Sequence, residues 1–236
     1  MALIGLNRDE LDLSQLPKDS FYDPKKDDDD LSGVQIRATI TFRITNPDGT
    51  VVKEWTEPAH SLNYYFVQFI WALWYASTAT VQDTGGTLIT INGASGGTMA
   101  LTAPSGNSSY GIVVGSGASA GSTPLPTQFK LVAQIPAGIS SGQIEYGAVS
   151  LTQPATSGQT TQFTISRSFT NVSGATLTVT EIGLVIYVTG FAMLATTSGT
   201  SVSSDYFLIA YDIPSSAISV LNGQTLTITY TFSVTT

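Results

Sequence analysis

The chain contains no cysteine and only one histidine, His60. The lack of cysteine excludes disulfides, thiolate metal sites and cysteine nucleophiles. A single histidine cannot build a histidine metal cluster. Only 11% of the 236 residues are charged, against about 25% in an average soluble domain. Threonine, serine and glycine are abundant. We expect the hydroxyl groups of threonine and serine to contact solvent where charged side chains usually do.

Basic residues are especially scarce, and the formal net charge is −8. Residues 1–33 hold nine acids and four bases, whereas residues 34–236 hold eight acids and five bases. Phosphate binding needs clustered lysine and arginine. We therefore expect no binding to nucleic acid.

Long hydrophobic runs are also missing. The most apolar segment, NYYFVQFIWALWYA (63–76), has fourteen residues and no flanking basic anchor, whereas a membrane span needs about 20 apolar residues. The first residues, MALIGLNRDE, lack the basic start and the length of a secretory signal. We expect neither a membrane span nor a signal peptide, and synthesis in the cytoplasm.

Residues 1–33 are predicted to form an acidic N-terminal arm. Two interpretations stay open: a solvated tail, or an extended arm that becomes ordered on a neighbouring subunit. Asp27–Asp30 are adjacent carboxylates without the alternating spacing of a calcium loop, so we expect no metal site there. The apolar residues that would make the subunit contact are Leu3, Ile4, Leu6, Leu11, Leu13, Leu16, Phe21 and Tyr22.

Residues 34–236 are predicted to form one all-β domain, an antiparallel β-sandwich of the jelly-roll or immunoglobulin-like type. Apolar residues alternate with polar ones from Ile36 to Ile44 and from Leu226 to Val234, the period of a half-buried strand. In TLTVTEIGLVIYV the apolar parity flips, which indicates a β-bulge near Thr180–Glu181 or a strand that changes partners. The strands expected in the second half cover residues 142–152, 159–171, 175–189, 205–212 and 224–235.

The aromatic segment predicts a helix at about 61–77 with Ser61 as its cap. Apolar side chains lie on nearly all of its faces, which is typical of a buried helix. We expect it to fill the core or an interface. The residues assigned to this role are Tyr65, Phe66, Phe69, Ile70, Trp71, Leu73 and Trp74.

Catalytic motifs are hard to find. His60 is expected to be a turn residue before the helix. Two of the acids Glu145, Glu181, Asp205 and Asp212 could meet, and paired carboxylates can hydrolyse glycosides. We instead expect strand residues that pair with Arg167 or Lys130 or face water. YGIVVGSG lacks the lysine and the helix of a phosphate loop, so its glycines are expected to serve turns and close strand approach. We predict no enzyme, no cofactor and no metal.

Three segments resemble a group of structural or uncharacterised proteins encoded by tailed bacteriophages and related viruses. They are YGIVVGSG, QIEYGAVSLTQPATSGQTTQFTISRSFTNVSGATLTVTEIGLVIY and YFLIAYDIPSSAISVLNGQTLTITYTFSV, and the likeness spans residues 60–236. The resemblance implies a virion protein, made in the host cytoplasm, that contacts copies of itself and other virion proteins. It carries over no catalytic residues.

The sequence therefore favours a self-assembling structural subunit for capsid decoration, a fibre or the tail. Two alternatives stay open. One is a subunit of a cellular extracellular filament joined by a donated strand. The other is a receptor module that binds a host glycan through an exposed tyrosine or tryptophan.

Overall fold

The computed structural model describes residues 35–59 and 62–236. In these ranges the chain forms fifteen β-strands, one α-helix and a short 3-10 turn at Gly93–Ser95. The helix α1 covers Tyr64–Trp74. The strands are β1 (Gln35–Thr45), β2 (Val51–Pro58), β3 (Thr78–Gln82), β4 (Leu88–Asn92), β5 (Thr98–Ala100), β6 (Gly111–Gly115), β7 (Glu145–Tyr146), β8 (Ser150–Leu151), β9 (Ala155–Ser157), β10 (Thr160–Thr170), β11 (Leu177–Val179), β12 (Glu181–Ala195), β13 (Ser201–Asp212), β14 (Ile218–Val220) and β15 (Thr225–Thr235).

The strands form two large antiparallel sheets. Sheet 1 has the order β2-β1-β15-β10-β7, and β8 and β9 also pair with β10. Sheet 2 has the order β13-β12-β4-β3, and β5 and β6 also pair with β12. A small third sheet joins β11 and β14. Long strands therefore form the middle of each large sheet, and short strands lie beside them.

One hydrophobic core lies between the two large sheets. Phe42 and Ile228 from sheet 1 belong to the same buried cluster as Ile91 and Leu184 from sheet 2. The prediction of an all-β antiparallel sandwich with one helix is confirmed. The assignment to a jelly-roll or immunoglobulin-like type stays a prediction.

The central strands of sheet 1 show how the alternating pattern becomes a packed face. Ile40, Phe42 and Ile44 of β1 are buried, as are the residues of β15 that pair with them. At the other end of these strands, residues on the same face extend beyond the core. Ile36 is 77% exposed, and its partner Val234 is also exposed. The sequence pattern therefore predicts the orientation of the side chains correctly but not where the core ends.

The opposite face of sheet 1 carries rows of hydroxyl groups. Thr229 of β15 lies between Thr41 of β1 and Ser166 of β10. The hydroxyl oxygens of Ser166 and Thr229 are 2.9 Å apart, and so are those of Thr170 and Thr225. Cross-strand hydroxyl pairs of this kind stabilise a sheet without charge.

The parity flip near Thr180 marks a change of partners. Strand β11 pairs with β14 in the small sheet, whereas β12 begins at Glu181 and pairs with β6 and β13 in sheet 2. The register shifts of β12 against β13 lie further along, at Leu184/Val185 and between Thr189 and Met193. Of the two interpretations of the flip, the change of partners is correct at this position.

Several strand boundaries differ from those expected. The segment 142–152 forms only the two-residue strands β7 and β8, and β12 runs to Ala195 instead of 189. Strands β3, β9 and β14 had no clear pattern in the sequence. They are three to five residues long, too short for alternation to stand out from loop composition. Within the described ranges, no helix is long and apolar enough to cross a bilayer.

Candidate functional site

The helix α1 begins at a polar cap. Asn63 is buried, and its side-chain oxygen accepts a hydrogen bond of 3.1 Å from the backbone N–H of Phe66. Its amide nitrogen donates to the carbonyl oxygens of Leu208 and Gln128, at 2.7 and 3.0 Å. The cap expected at Ser61 is therefore wrong. Asn63 is the N-cap instead, and its hydrogen bond to Leu208 links the helix to β13.

One face of the helix packs on sheet 2. Tyr65, Phe69 and Ala72 are buried, and the ring of Phe69 meets that of Phe207 edge-on, with centroids 5.2 Å apart. At the end of the helix, a Cβ on Gly93 would lie 2.2 Å from the carbonyl oxygen of Ala72. Only glycine allows this close approach. The helix is thus held firmly against the sheet.

The opposite face of the helix is apolar and exposed. Its residues follow helical spacing and carry no charge. Trp74 is 84% exposed and Tyr75 is 74% exposed, and the rings of Trp71 and Tyr75 stack with centroids 5.7 Å apart. We call this surface the aromatic face; it consists of Tyr64, Val67, Trp71, Trp74 and Tyr75.

The predicted helix residues divide between the two sides. Tyr65 and Phe69 are buried, and Phe66 packs against the core with part of its surface exposed. Ile70 is half-buried. Trp71, Leu73 and Trp74 are exposed, so the expectation of a helix buried all round is wrong for these three. For them the alternative role, contact at an interface, stays a prediction. The observed helix is also shorter than expected, 64–74 instead of 61–77.

The predicted arm lies outside the described residues. This applies to the contact residues Leu3, Ile4, Leu6, Leu11, Leu13, Leu16, Phe21 and Tyr22, and to Asp27–Asp30. His60 and Ser61 also lie outside the described ranges. The roles assigned to the arm residues and to His60 stay predictions, whereas the cap expected at Ser61 is replaced by Asn63.

Arg167 of β10 is buried, with 1% of its surface exposed. Its Nε donates to the Gly147 carbonyl at 2.8 Å, and Nη1 donates to Tyr110 and Ile112 at 3.0 and 2.8 Å. Nη2 donates to the carbonyls of Pro104 and Asn107. Burial lowers the pKa of this guanidinium to about 10, so it stays charged at neutral pH. One buried cation therefore holds the 104–112 segment through the N–H groups of Nη1 and Nη2, and its Nε–H binds Gly147.

Glu181, at the start of β12, is a buried carboxylate. Oε1 accepts from the backbone N–H groups of Gly117 and Ala133 at 3.0 and 2.7 Å, and Oε2 accepts from Val132 at 2.8 Å. The hydroxyl of Tyr211 also donates to Oε2, at 2.8 Å. Burial, together with this carboxylate, raises the pKa of Tyr211. Glu181 thus fixes the backbone of the 116–133 segment.

The glycines of YGIVVGSG make room for this carboxylate. A Cβ on Gly115 would lie 2.4 Å from the Glu181 Oε1 atom, and Gly117 supplies one of the N–H donors. Gly111 has a φ of +80°, which glycine adopts without strain. The expected turn and close-approach roles of these glycines agree with the structure.

The four candidate acids lie in different surroundings. Glu181 neither pairs with Arg167 or Lys130 nor faces water, because its partners are backbone amides and a tyrosine; the expectation of pairing or exposure is wrong for it. Asp212 is buried and accepts a hydrogen bond from Tyr230, whereas Glu145 is exposed. Among the described residues there is no group of three or more histidine, cysteine or acidic side chains that could hold a metal ion.

Asp205 is paired with an acid that the sequence did not single out. Burial, and then the nearby Asp83, raise the pKa of the Asp205 carboxyl. Asp83 is itself held by the backbone N–H of Thr87, which donates to Oδ1 at 2.6 Å. The pair lies at the turn that follows β3, where it links that turn to β13.

The anchoring roles of Arg167 and Glu181 were not predicted from the sequence, although the position of each residue in the apolar pattern signals burial. In FTISRSF, Arg167 shares the parity of the apolar residues Phe163, Ile165 and Phe169, so its position alone indicates burial. Glu181 stands where the apolar parity flips. A charged residue at an inward-facing position of a strand therefore indicates a buried, hydrogen-bonded charge.

Comparison with known proteins adds no relative: no protein-family model, curated protein or solved structure matches this chain. The fold class, an antiparallel β-sandwich with one helix, rests on the strand pairing described above.

Proposed function

We propose that the protein is a non-enzymatic structural subunit that associates with copies of itself in a virion, as a capsid decoration, fibre or tail-associated protein. The observation that carries the proposal is the aromatic face of α1. Large exposed apolar patches on folded domains mark interaction sites, and tryptophan and tyrosine are the residues most enriched at the energetic centres of interfaces.

The energy available on this face is large. Burying most of Trp74 and Tyr75 would remove about 300 Å² from water. At about 25 cal/mol per Å² this corresponds to about 7 kcal/mol before the entropic cost of association. The helix carries no charged side chain, so two such faces can meet without burying an unpaired charge.

A second copy of the chain is the partner that this face fits best. The face is uncharged and aromatic, and an isologous dimer brings two identical patches together. The low charge of residues 34–236 reduces the repulsion between copies. The resemblance to virion proteins supports the further step to a particle, in which one protein occurs many times.

Self-association can be tested with a double variant, Trp71→Ser and Trp74→Ser. Sedimentation velocity over a range of concentrations should show wild-type multimers and a dissociation constant raised about 1000-fold or more in the variant, since two interface tryptophans each contribute about 2 kcal/mol or more. The control is Ile139→Ser, which removes an exposed apolar side chain from a loop and should change nothing.

Two results would contradict the proposal. One is a wild-type protein that stays monomeric at every concentration, and the other is a double variant that associates as tightly as the wild type. Placement in a virion is tested separately, by quantitative mass spectrometry of purified particles. Many copies of this chain per particle are expected, and its absence from particles would remove the virion part of the proposal.

A further inference from the structure

Three tyrosines form a cluster on sheet 2, far along the chain from the aromatic face. Tyr187 of β12 lies directly opposite Tyr206 of β13, and their ring centroids are 5.3 Å apart. Tyr110 precedes β6, the strand that pairs with β12 on its other side. Its ring lies 5.6 Å from Tyr187 and 6.1 Å from Tyr206. All three side chains are half-buried.

The hydroxyl groups of this cluster differ from those of the buried tyrosines. The hydroxyl of Tyr146 donates to the Ile135 carbonyl at 2.7 Å, and Tyr211 and Tyr230 donate to carboxylates at 2.8 and 2.7 Å. Within the described ranges, the hydroxyls of Tyr110, Tyr187 and Tyr206 have no hydrogen-bond partner. The three adjacent rings therefore present apolar ring faces together with hydroxyl groups that are free to bind a ligand.

A groove of about 440 Å³ adjoins the cluster. Tyr206 and Val185 contribute to its apolar part, and Thr84, Ser108, Ser109 and Lys130 contribute polar groups. We call it the tyrosine groove. Its volume falls in the range of small-ligand sites, in which an apolar floor combines with a few polar groups that fix orientation.

Two of the buried charged side chains, Arg167 and Glu181, hold the borders of this groove. Arg167 binds the carbonyls of Asn107 and Tyr110, on either side of Ser108 and Ser109. Glu181 binds the N–H groups of Val132 and Ala133, next to Lys130 on the opposite border. The Gln134 side chain then donates to the Ser108 carbonyl at 2.5 Å and joins the two borders.

Stability alone does not explain why two charged side chains are buried here. Removing a charge from water costs several kcal/mol, and apolar residues of similar size often stabilise a core better. Only 11% of the chain is charged, yet two charged groups are buried to fix two neighbouring loops. Loops held rigid in this way lower the entropic cost of binding a ligand.

We propose that the tyrosine groove binds a saccharide. A pyranose ring has an apolar C–H face that packs on an aromatic ring and a rim of hydroxyls that exchange hydrogen bonds with serine, threonine and tyrosine hydroxyls. The groove supplies both, with Lys130 as the one charged side chain lining it. Nucleic acid would require several cations along its path. The proposal does not depend on self-association, because the groove and the aromatic face share no residue.

The test uses the full chain on a printed array of neutral and acidic glycans, followed by calorimetric titration of the oligosaccharide that binds best. Ser109→Arg places a long side chain in the groove from an exposed position, so folding is not at risk. We expect it to weaken binding about tenfold or more, the effect of losing 1.4 kcal/mol. Ser122→Arg makes the same chemical change on an exposed loop residue that does not line the groove and should leave binding unchanged.

Substitutions in the cluster identify the contact. Tyr206 is the cluster residue that lines the groove. Tyr206→Ala should weaken binding about tenfold, whereas Tyr206→Phe keeps the ring and should retain most of the affinity. Circular dichroism confirms that each variant is folded. A wild-type protein that binds no glycan on the array would overturn the proposal, and so would binding that survives Ser109→Arg unchanged.

Discussion

The hydroxyl of Tyr230 donates a 2.7 Å hydrogen bond to Oδ2 of Asp212 in the buried interior. Tyr230 belongs to β15 of sheet 1, and Asp212 ends β13 of sheet 2. A polar link therefore joins the two sheets within the core. Burial, and then the Asp212 carboxylate, raise the pKa of Tyr230 well above its ordinary value.

Removing this link should destabilise the sandwich. Tyr230→Phe deletes a hydrogen bond to a carboxylate, and such bonds contribute about 1.5–3 kcal/mol. We expect the free energy of unfolding in urea to fall by about this amount. The matched control is Tyr110→Phe, whose hydroxyl has no partner in the described ranges and which should cost no more than about 0.5 kcal/mol. Equal losses for the two variants would show that the link contributes nothing.

Glu181→Gln should loosen the 116–133 segment. The amide keeps the shape of the carboxylate but loses its charge and presents N–H groups to backbone donors. We expect a loss of about 2–3 kcal/mol and faster hydrogen exchange at Val132 and Ala133. Glu145→Gln makes the same change at an exposed strand residue and should have little effect. Unchanged exchange in the Glu181 variant would contradict the anchoring role.

The protein should lose stability in alkali. Tyr146, Tyr211 and Tyr230 all have a pKa raised by burial, to about 12 for Tyr146. A raised pKa means that the folded state favours the neutral phenol. The contribution is therefore complete below the ordinary value near pH 10 and is lost as the pH rises through the folded pKa.

For Tyr146 alone the loss is about 3 kcal/mol by about pH 12. Urea unfolding measured at several alkaline pH values, with tyrosinate absorbance as a second probe, checks the slope. Tyr146→Phe should flatten the part of the slope that belongs to this residue. A free energy of unfolding that stays level above pH 10 would contradict the assignment.

Deletion of residues 1–30 tests the arm. We expect the domain to keep its fold and its thermal unfolding midpoint, because the described core is built from residues 35 onward. Assembly should be lost if the apolar residues of the arm contact a neighbouring copy. Replacing Asp27–Asp30 by serine leaves those apolar residues in place and serves as the control. Assembly that survives the deletion unimpaired would remove the arm from the proposed contact.

The fold class could be predicted from the sequence because alternation is a local property. In β1 and β15 every second residue is apolar, and the structure turns Phe42 and Ile228 inward as that pattern requires. Strand order could not be predicted, because β1 pairs with β15 across nearly the whole chain. No local pattern specifies such a distant partner.

The candidate site was predictable only in part. The composition of α1 shows that it is apolar, but not which side meets sheet 2. That side is decided by the contact of Phe69 with Phe207 and by the space left at Gly93. The tyrosine groove was not predictable at all, because its lining residues, among them Ser109, Lys130 and Tyr206, come from separate segments of the chain.

The pairing of Gln35 with Thr235 places the two ends of the described β-domain side by side on sheet 1. A reporter fused after Thr236 would therefore emerge beside the start of β1. The turn at 46–50 lies at the opposite end of the same strands, where Thr45 pairs with Thr225. An epitope tag inserted in that turn would stand at the far end of sheet 1 from both of these ends.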